Sequence, residues 1–460
     1  MTTPMQAVAS CIHQVEVPTD LSAADVCREQ RRAGRPVVLF ERGAGFREGW
    51  ALASLVGLSS EVASVVRFAD ERRSGEALTA LGERIRQRRS RGGTAETGVL
   101  LMLSYEAVSP DRTDHDAGLP HLVALTVDRS LRYRDAGPAL LTCRSRGPAL
   151  QASRECDRLR REFDALADVR CDGRPADGRR YRGRPVTSLP RDAYLRAVGK
   201  IKWHIEAGDI YQANLCQRFE VRFEGDPYEA YRALVARCPA PHAAFVEVGH
   251  FALGSVSPET FLRGVADEIE TVPIKGTRAR GETPEADRSA ADELRSSAKD
   301  RAELLMIVDL ERNDLGRVCR VGSVAVDELA GLRSFPTMHH LVARVRGRLR
   351  CGVELRELLA ATFPGGSITG APKIRAMQVL RELEPVARGP FTGGLFWLGD
   401  DGSLDSSILI RSLVISGDRC YVGAGGGVVA DSDPEQEWHE SNHKARALTR
   451  VLGFDPEEAG

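Results

Sequence analysis

The chain has 460 residues, of which 42 % are hydrophobic and 28 % charged, and its formal net charge is −1. A charge balance this close to zero gives no basic field for nucleic acid, and no run of about 18 apolar residues predicts a membrane span. The N-terminus lacks the layout of a signal peptide, and the ten cysteines form no C-x-x-C pair. We therefore expect a cytoplasmic globular protein with reduced thiols, without nucleic-acid or membrane partners.

The first part of the chain offers few functional signals. Three apolar runs predict buried strands, at residues 36–40, 98–103 and 121–127. Residues 172–184, rich in Gly, Arg, Asp and Pro, predict a surface loop or an internal boundary. We therefore expect residues 1–185 to contribute to the same body as a catalytic segment at 186–455.

The second part mixes helices with strands. Helical periodicity begins at Asp192 and ends at Ala207, and a second helix is predicted from Pro284 to about Val308. Three strands are predicted beyond it, at residues 394–398, 406–415 and 419–423. They are separated by Asp-Gly and Gly-Asp turn dipeptides, which favour an antiparallel meander. The predicted class is α+β with mostly antiparallel sheets.

The stretch 271–278, TVPIKGTR, presents a single amine. An apolar run ends at Pro273, and the pattern predicts a strand end that opens into a tight loop carrying Lys275. Lysine is scarce in this chain, in which arginine supplies nearly all the basic charge. Lysine, unlike arginine, loses its proton when desolvated and can then act as a nucleophile. The alternative is an ordinary solvated surface charge.

Two helical carboxylate pairs have the same spacing. Asp300 and Glu303 share one helix face, and Glu437 and Glu440 share another, with Lys444 four residues further along. The second helix is entered through a capping sequence with Asp433 as N-cap. Carboxylate oxygens from two helices suit Mg²⁺. The alternative is a solvated acidic face with an ordinary ion pair.

Two glycine-rich segments and one isolated carboxylate complete the candidates. The segment 363–373 leads into a helix that is expected to have Pro372 at its first position. Free N–H groups at such a helix start can bind a carboxylate. Residues 423–429 offer further N–H groups, or else form a bulged strand with close packing. Glu259, after a predicted strand, is a general acid or an ordinary helix-start residue.

The order of these motifs resembles one family. PIKGTR, ELLMIVDLERNDLGRV, FPGGSITGAPKIRAM and GAGGGVVADSDPEQE follow GDIYQANLCQRF and SPETF, as in the chorismate-utilising enzymes, and the resemblance is dense over residues 190–452. The lysine of PIKGT is similar to that of aminodeoxychorismate synthase large subunits, whereas anthranilate synthases usually have alanine there. The resemblance implies an anthranilate-synthase-type fold: two packed, mostly antiparallel β-sheets with outer helices.

The resemblance also implies roles for individual residues. Glu303 and Glu440 match Mg²⁺ ligands, with Glu437 and Asp300 as nearby carboxylates. Glu259 matches the acid that protonates the departing 4-hydroxyl of chorismate, and Lys275 matches the nucleophile that attacks ring carbon 2. The implied substrate-binding residues are Gln212, Gly276, Thr277, His340, Ser367, Trp397, Arg411, Gly425, Gly426, Gly427 and Lys444.

The residue at position 212 indicates whether water or ammonia is the incoming nucleophile. Isochorismate and salicylate synthases resemble this chain but carry a lysine there that activates water. A neutral glutamine is a poor base, which favours ammonia. No glutaminase domain is recognisable in the chain, so the resemblance implies ammonia from a separate glutamine amidotransferase subunit. Trp397 follows Phe396 where relatives usually have Gly-Tyr, and His242 replaces an aromatic residue of the family's tryptophan pocket.

Two other functions are compatible with the family pattern. One is an anthranilate or 2-amino-2-deoxyisochorismate synthase, which Lys275 disfavours. The other is a catalytically silent chorismate-binding partner subunit, which the retained acids and lysine disfavour. The sequence does not distinguish a folate pathway from a specialised aminoaromatic pathway, and it identifies neither the amidotransferase nor the oligomeric state.

Overall fold

The computed structural model describes residues 11–17, 22–41, 54–66, 71–108, 119–134, 138–145, 149–166, 180–335 and 338–459. The strands in these ranges are β1 (Cys11–Val17), β2 (Val37–Glu41), β3 (Ser54–Val66), β4 (Gly98–Leu103), β5 (Leu122–Tyr133), β6 (Ala139–Ser145), β7 (Tyr181–Thr187), β8 (Gln212–Phe223), β9 (His242–Val248), β10 (Phe251–Ser257), β11 (Thr260–Val265), β12 (Glu268–Val272), β13 (Ile274–Ala279), β14 (Ala325–Ser334), β15 (Met338–Arg348), β16 (Gly370–Ala371), β17 (Gly394–Gly399), β18 (Ser403–Ile408), β19 (Ser412–Ser416) and β20 (Arg419–Val428). The helices are α1 (Ala23–Arg32), α2 (Glu71–Ser90), α3 (Ala149–Leu166), α4 (Arg191–Glu206), α5 (Pro227–Arg237), α6 (Pro284–Ser296), α7 (Ala298–Gly316), α8 (Leu355–Thr362), α9 (Lys373–Leu383) and α10 (Pro434–Leu452).

The strands pair antiparallel throughout the described residues. One half of the sheet runs in the order β7-β8-β20-β19-β10-β9-β2, and the other in the order β4-β17-β18-β11-β12-β15-β14. The long strands β3 and β5 join the two halves, since β3 pairs with β2 and β5 pairs with β4. Strands contributed by the first 145 residues therefore lie within both halves.

The two halves pack face to face and carry helices on their outer sides. Leu253 and Val414 of the first half meet Leu395 and Trp397 of the second in a buried core. Helices α1, α5 and α10 cover the outside of the first half, and α2, α7 and α8 cover the second. This is the expected α+β arrangement of packed antiparallel sheets with outer helices. None of the helices found in the described ranges is long and apolar enough to cross a bilayer.

The helix expected at 284–308 is wrong as a single element, because Ser297 interrupts it. The backbone of Ser297 is extended, with ψ at 107°, so α6 ends there. The Ser297 hydroxyl then accepts the N–H of Asp300 at 3.2 Å and caps α7, which continues to Gly316. Serine is a favoured N-cap because its side chain satisfies a free helix N–H.

The single meander expected near the C-terminus is also wrong. Arg411 has a φ of 53° and separates β18 from β19, which pair with different partners. The strand expected at 419–423 continues to Val428 in unbroken register with β8. Of the loop expected at 172–184, residues 172–179 lie outside the described residues and 181–184 belong to β7. The three strands expected before residue 130 are confirmed as β2, β4 and β5.

Candidate active site

Lys275 lies within β13 rather than in a loop, which corrects the expected local structure. Pro273 separates β12 from β13, and both strands pair with β15. The register shifts between Lys275 and Thr277, and Gly276 between them has a φ of +68°. A Cβ at this glycine would lie 2.8 Å from Leu294 Cδ1, so both the bulge and the close packing require glycine.

The opposite strand supports this bulge through His340. The imidazole Nδ1 lies 3.0 Å from Thr277 Oγ1 and 3.3 Å from the Gly276 carbonyl oxygen. Burial lowers the pKa of His340 to about 4, so the ring is neutral at pH 7. His340 therefore braces the backbone beside Lys275 without adding charge.

The amine of Lys275 lies beside a short 3₁₀ turn at Gly366–Ile368. Its Nζ donates to the Ser367 carbonyl oxygen at 3.4 Å. Ser367 is buried, and its hydroxyl is near enough to Glu259 to lower the pKa of that carboxyl, but it forms no well-aligned hydrogen bond with any described residue. A buried hydroxyl without a partner is available to a ligand. Downstream, Pro372 is the N-cap of α9 and not its first residue, which corrects that expectation.

Glu259 occupies the connection between β10 and β11, where its backbone N–H donates to Ser257 Oγ at 3.2 Å. Its side chain is buried, and Oε1 finds no hydrogen-bond partner in the described part of the chain. Burial raises the pKa of Glu259, and the neighbouring Ser367 hydroxyl and Lys275 partly offset this rise. The carboxyl is therefore suited to carry and donate a proton.

Lys275 shows the opposite shift. Burial lowers the pKa of its amine, while the negative charges of Glu259 and Glu303 act against the shift. Burial thus favours the uncharged amine and the protonated carboxyl together. An amine whose pKa is lowered and a carboxyl whose pKa is raised, in one region, are suited to nucleophilic substitution with acid assistance.

Helix α7 brings two acidic side chains to this region. Burial raises the pKa of Glu303, and Lys275 opposes the rise. The carboxylates of Asp300 and Glu440 raise the pKa of Glu303 further. Asp300 itself forms an ion pair with Arg278 at 3.2 Å.

Helix α10 supplies two further acidic side chains, Glu437 and Glu440. Burial raises the pKa of Glu437, whose Oε1 accepts the Ser432 hydroxyl at 2.7 Å. Lys444 lowers the pKa of Glu440 and forms an ion pair with it at 2.7 Å. Lys444 also donates to the Gly425 carbonyl oxygen at 3.2 Å, so α10 and β20 meet at this edge.

The fit of these carboxylates to Mg²⁺ rests on their chemistry. Within the ranges that the structure describes, no group of three or more His, Cys, Asp or Glu side chains is arranged to hold a metal ion. The oxygens are nevertheless hard ligands, and the negative charge of Glu440 adds a small part to the rise in the pKa of Glu303, which is mainly due to burial. A divalent cation would relieve the repulsion between these carboxylates, so the donor set fits Mg²⁺ and the metal assignment stays a prediction.

The second glycine-rich segment belongs to a regular strand without the bulge that was one expected alternative. Gly425, Gly426 and Gly427 lie in β20 opposite Cys216, Leu215 and Asn214 of β8. Their absent side chains leave room for the site.

Two of these glycines show what a side chain would meet. A Cβ at Gly426 would lie 3.1 Å from Glu437 Oε2 and 3.7 Å from Lys444 Nζ. One at Gly427 would lie 2.5 Å from Gln212 Nε2. Gln212 is buried, and its Oε1 lacks a hydrogen-bond partner among the residues described, as expected for a group that faces a ligand.

Arg411 lies on the His340 side of the site. Its Nη2 is 4.0 Å from Met338 Sδ, and its charge contributes to lowering the pKa of His340 after the larger effect of burial. Burial lowers the pKa of Arg411, and the nearby Cys238 opposes that shift. A partly buried guanidinium next to neutral groups is suited to bind a carboxylate.

Trp397 lies elsewhere, which differs from its predicted place in the substrate pocket. Its indole Nε1 donates to the Ala95 carbonyl oxygen at 2.9 Å, and its ring packs edge-on against Phe40 at 5.7 Å. Because side chains alternate along β17, Trp397 points into the core between the sheet halves. Its neighbour Phe396 points the other way and packs against Phe261.

Lys299 is a residue of this site that sequence reasoning missed. Its charge lowers the pKa of Glu303, Glu437 and Glu440, in each case as a smaller effect than burial or Lys444. Lys299 stands four residues before Glu303 in α7 and is one of the few lysines in the chain. Its scarcity and spacing were the signal that could have identified it.

The chain belongs to the chorismate-binding enzyme family, whose model matches residues 35–450. An anthranilate synthase component 1 of Haloarcula marismortui is 37 % identical over 402 residues, covering 83 % of this chain and 81 % of that protein. The aminodeoxychorismate synthase component 1 of Bacillus subtilis is 42 % identical over 267 residues, covering 58 % of this chain but 57 % of that protein. Anthranilate synthase component I of Streptococcus pneumoniae shares the fold, with 22 % identity, a TM-score of 0.68 and coverage of 98 % and 94 %.

The lowered pKa of Lys275 is directly measurable. With a pH series of amine labelling and mass spectrometry, Lys275 should become reactive at lower pH than the exposed Lys200. The substitution Glu440→Gln removes an ionised carboxylate that raises the pKa of Lys275, so it should move this reactivity to still lower pH. A Lys275 that titrates together with Lys200 in both proteins would contradict the described environment.

Proposed function

We propose that the chain is the large subunit of an aminodeoxychorismate synthase, which converts chorismate and ammonia to 4-amino-4-deoxychorismate. The observation that carries the proposal is the half-buried Lys275 amine, held 3.4 Å from the Ser367 carbonyl oxygen, in the same region as the buried Glu259 carboxyl. Overall identity does not decide the matter, because relatives with either name match at 42–44 %. Lys275 favours this function, since anthranilate synthases resembling this chain usually carry alanine there.

The first proposed step uses the acid and the nucleophile together. Lys275 Nζ attacks ring carbon 2, the ring double bonds shift, and the bond between carbon 4 and its hydroxyl oxygen breaks. Glu259 gives its proton to that hydroxyl, which leaves as water. The product of this step is a covalent adduct with a positively charged secondary amine at Lys275 and an ionised Glu259.

The second step reverses the electron flow. Ammonia attacks carbon 4, the double bonds shift back, and the bond between carbon 2 and the lysine nitrogen breaks. Lys275 departs as a neutral amine, and Glu259 takes a proton from the new ammonium group. Both residues return to their starting protonation states, and the net reaction exchanges a hydroxyl for an amine at carbon 4.

Binding and orientation fall to the groups around this pair. Arg411, Lys444 and the β20 glycines would contact the substrate carboxylates. Glu303 and Glu440, with Glu437 and Asp300 nearby, would hold Mg²⁺, which supplies positive charge against a substrate carboxylate when bound. Gln212 cannot act as a strong base, which favours ammonia over water as the entering group.

The ammonia source completes the proposal. We propose a separate glutamine amidotransferase subunit, in keeping with relatives whose names designate them as component 1. Free ammonium at high concentration should substitute for that subunit in vitro. An anthranilate synthase is the competing function, because the match to the Haloarcula protein extends over 402 residues.

The product formed from chorismate, Mg²⁺ and ammonium tests the proposal. We expect 4-amino-4-deoxychorismate, identified by chromatography and mass spectrometry against an authentic standard. Lys275→Ala should lower its formation by about 100-fold or more, or divert the reaction to the ortho amine, since the covalent route is lost. Lys200→Ala, on the exposed face of α4, is the matched control and should retain activity.

The proposal fails if anthranilate is the sole product of the unaltered protein. It also fails if Lys275→Ala forms the para product at the rate of the Lys200→Ala control. Retained binding of chorismate by Lys275→Ala would show that the loss lies in the chemistry and not in folding.

If Glu303 and Glu440 hold Mg²⁺, the Mg²⁺ requirement of turnover should depend on both residues. Chelation should abolish turnover, and Glu303→Gln or Glu440→Gln should raise the Mg²⁺ concentration for half-maximal rate by about tenfold or more, because each removes a charged ligand. Glu435→Gln, on the first turn of α10, removes a carboxylate paired with Arg191 and serves as the control. Unchanged Mg²⁺ dependence in both site variants would refute the assignment.

A further inference from the structure

Helix α7 carries a buried carboxyl that the proposed mechanism does not use. Glu311 lies two helical turns after Glu303, on the face that packs against the sheet, and its side chain is 6 % exposed. Glutamate is rarely buried to this extent unless it is paired. Its position therefore calls for a physical reason.

The carboxyl makes one hydrogen bond that reaches the strand leading to Lys275. Glu311 Oε2 accepts the hydroxyl of Thr271 at 3.0 Å, and Thr271 is itself buried in β12. Thr271 stands four residues before Lys275, with Pro273 between them. The hydrogen bond thus ties α7 to the backbone segment that sets the position of Lys275.

The same stretch of α7 also packs against the turn on the other side of the amine. A Cβ at Gly366 would lie 3.7 Å from Glu311 Cγ and 2.8 Å from Leu310 Cδ2, so α7 packs closely against this glycine. Gly366 precedes Ser367, whose carbonyl oxygen accepts from Lys275. Glu311 is therefore bonded to the strand before Lys275, and its helix packs against the turn that accepts the Lys275 amine.

The charges around Glu311 favour its protonated form. Burial has the largest effect, the carboxyls of Glu259 and Asp314 add to it when they are ionised, and the Thr271 hydroxyl and Lys373 oppose it. Lys373 is committed to an ion pair with Asp314 and donates to the Thr362 carbonyl oxygen at 3.0 Å. Together these effects raise the pKa of Glu311 to about 8.

We propose that Glu311 is a positioning residue that works as an uncharged acid: it fixes the segments on either side of Lys275 and keeps a second negative charge away from Glu259. This inference rests on the proposed function for its kinetic consequence. If Glu311 ionised, the added charge would make Glu259 a weaker proton donor. The neutral state is therefore the productive one.

The pH profile of turnover tests this role. We expect the rate with chorismate and ammonium to fall as the pH rises through about 8. Glu311→Gln preserves the size of the side chain and an oxygen for Thr271 but cannot ionise, so it should retain about a third or more of the rate and lose this alkaline decline. Glu311→Leu removes the acceptor and should lower the rate about fivefold or more.

The matched control is Asp309→Asn, which removes an exposed carboxylate from the same helix, where it pairs with Arg312. Its pH profile should follow that of the unaltered protein. An alkaline decline that is identical in the unaltered protein and in Glu311→Gln would overturn the proposal. Equal rates for Glu311→Leu and Glu311→Gln would overturn the positioning role.

A readout without substrate separates this proposal from the proposed function. A pKa of about 8 in the folded state lies above the ordinary glutamate value of about 4.3. Between these values Glu311 is ionised in the unfolded chain but still protonated in the folded one, so the free energy of unfolding falls as the pH rises. Thermal stability should therefore fall over this range more in the unaltered protein than in Glu311→Gln. In ¹³C-glutamate NMR, a carboxyl signal titrating near 8 should disappear in Glu311→Gln.

These outcomes distinguish the two failures. Absence of chorismate turnover with a titrating Glu311 signal would reject the proposed function and leave the uncharged state of Glu311 supported. Turnover without such a signal, and with parallel stability profiles, would reject the role of Glu311 alone.

Discussion

The burial of one amine and one carboxyl in the same region is the constraint on which the site depends. Desolvation lowers the pKa of Lys275 and raises that of Glu259, while their mutual attraction opposes both shifts. Neither group would be a competent nucleophile or acid in water at pH 7. The bulge at Gly276 and the Ser367 turn keep both groups in this environment, and neighbouring elements supply the charges that bind an anionic substrate.

Helix α7 connects the acidic residues of the site to the strand that precedes Lys275. Its start is fixed by the Ser297 cap, just before Lys299, Asp300 and Glu303. Two turns further along, Glu311 accepts a hydrogen bond from Thr271 that joins the helix to β12. A single rigid helix thereby relates the acidic region to the segment that positions the amine.

Much of the architecture was predictable because local patterns were strong. Apolar runs located β2, β4 and β5, and the Asp433 cap located α10. Other features depended on tertiary contacts that periodicity cannot express. The positive φ of Arg411 splits one apolar run into two strands with different partners. Lys275 lies in a bulged strand and not in a loop because that strand pairs with β15.

The residue types of the candidate site were predictable from the sequence, but the directions in which their side chains point were not. Trp397 faces the core because the pleat of β17 assigns alternate residues to opposite faces. Lys299 and Glu311 were missed because their relevance arises from neighbours far away in sequence, Glu440 for one and Thr271 for the other. Rapid-quench mass spectrometry with chorismate in the absence of ammonia tests the central claim most directly. The account predicts that the peptide containing Lys275 gains the mass of chorismate less one water, whereas an unmodified peptide throughout turnover, with an unchanged product in a protein lacking that amine, would contradict it.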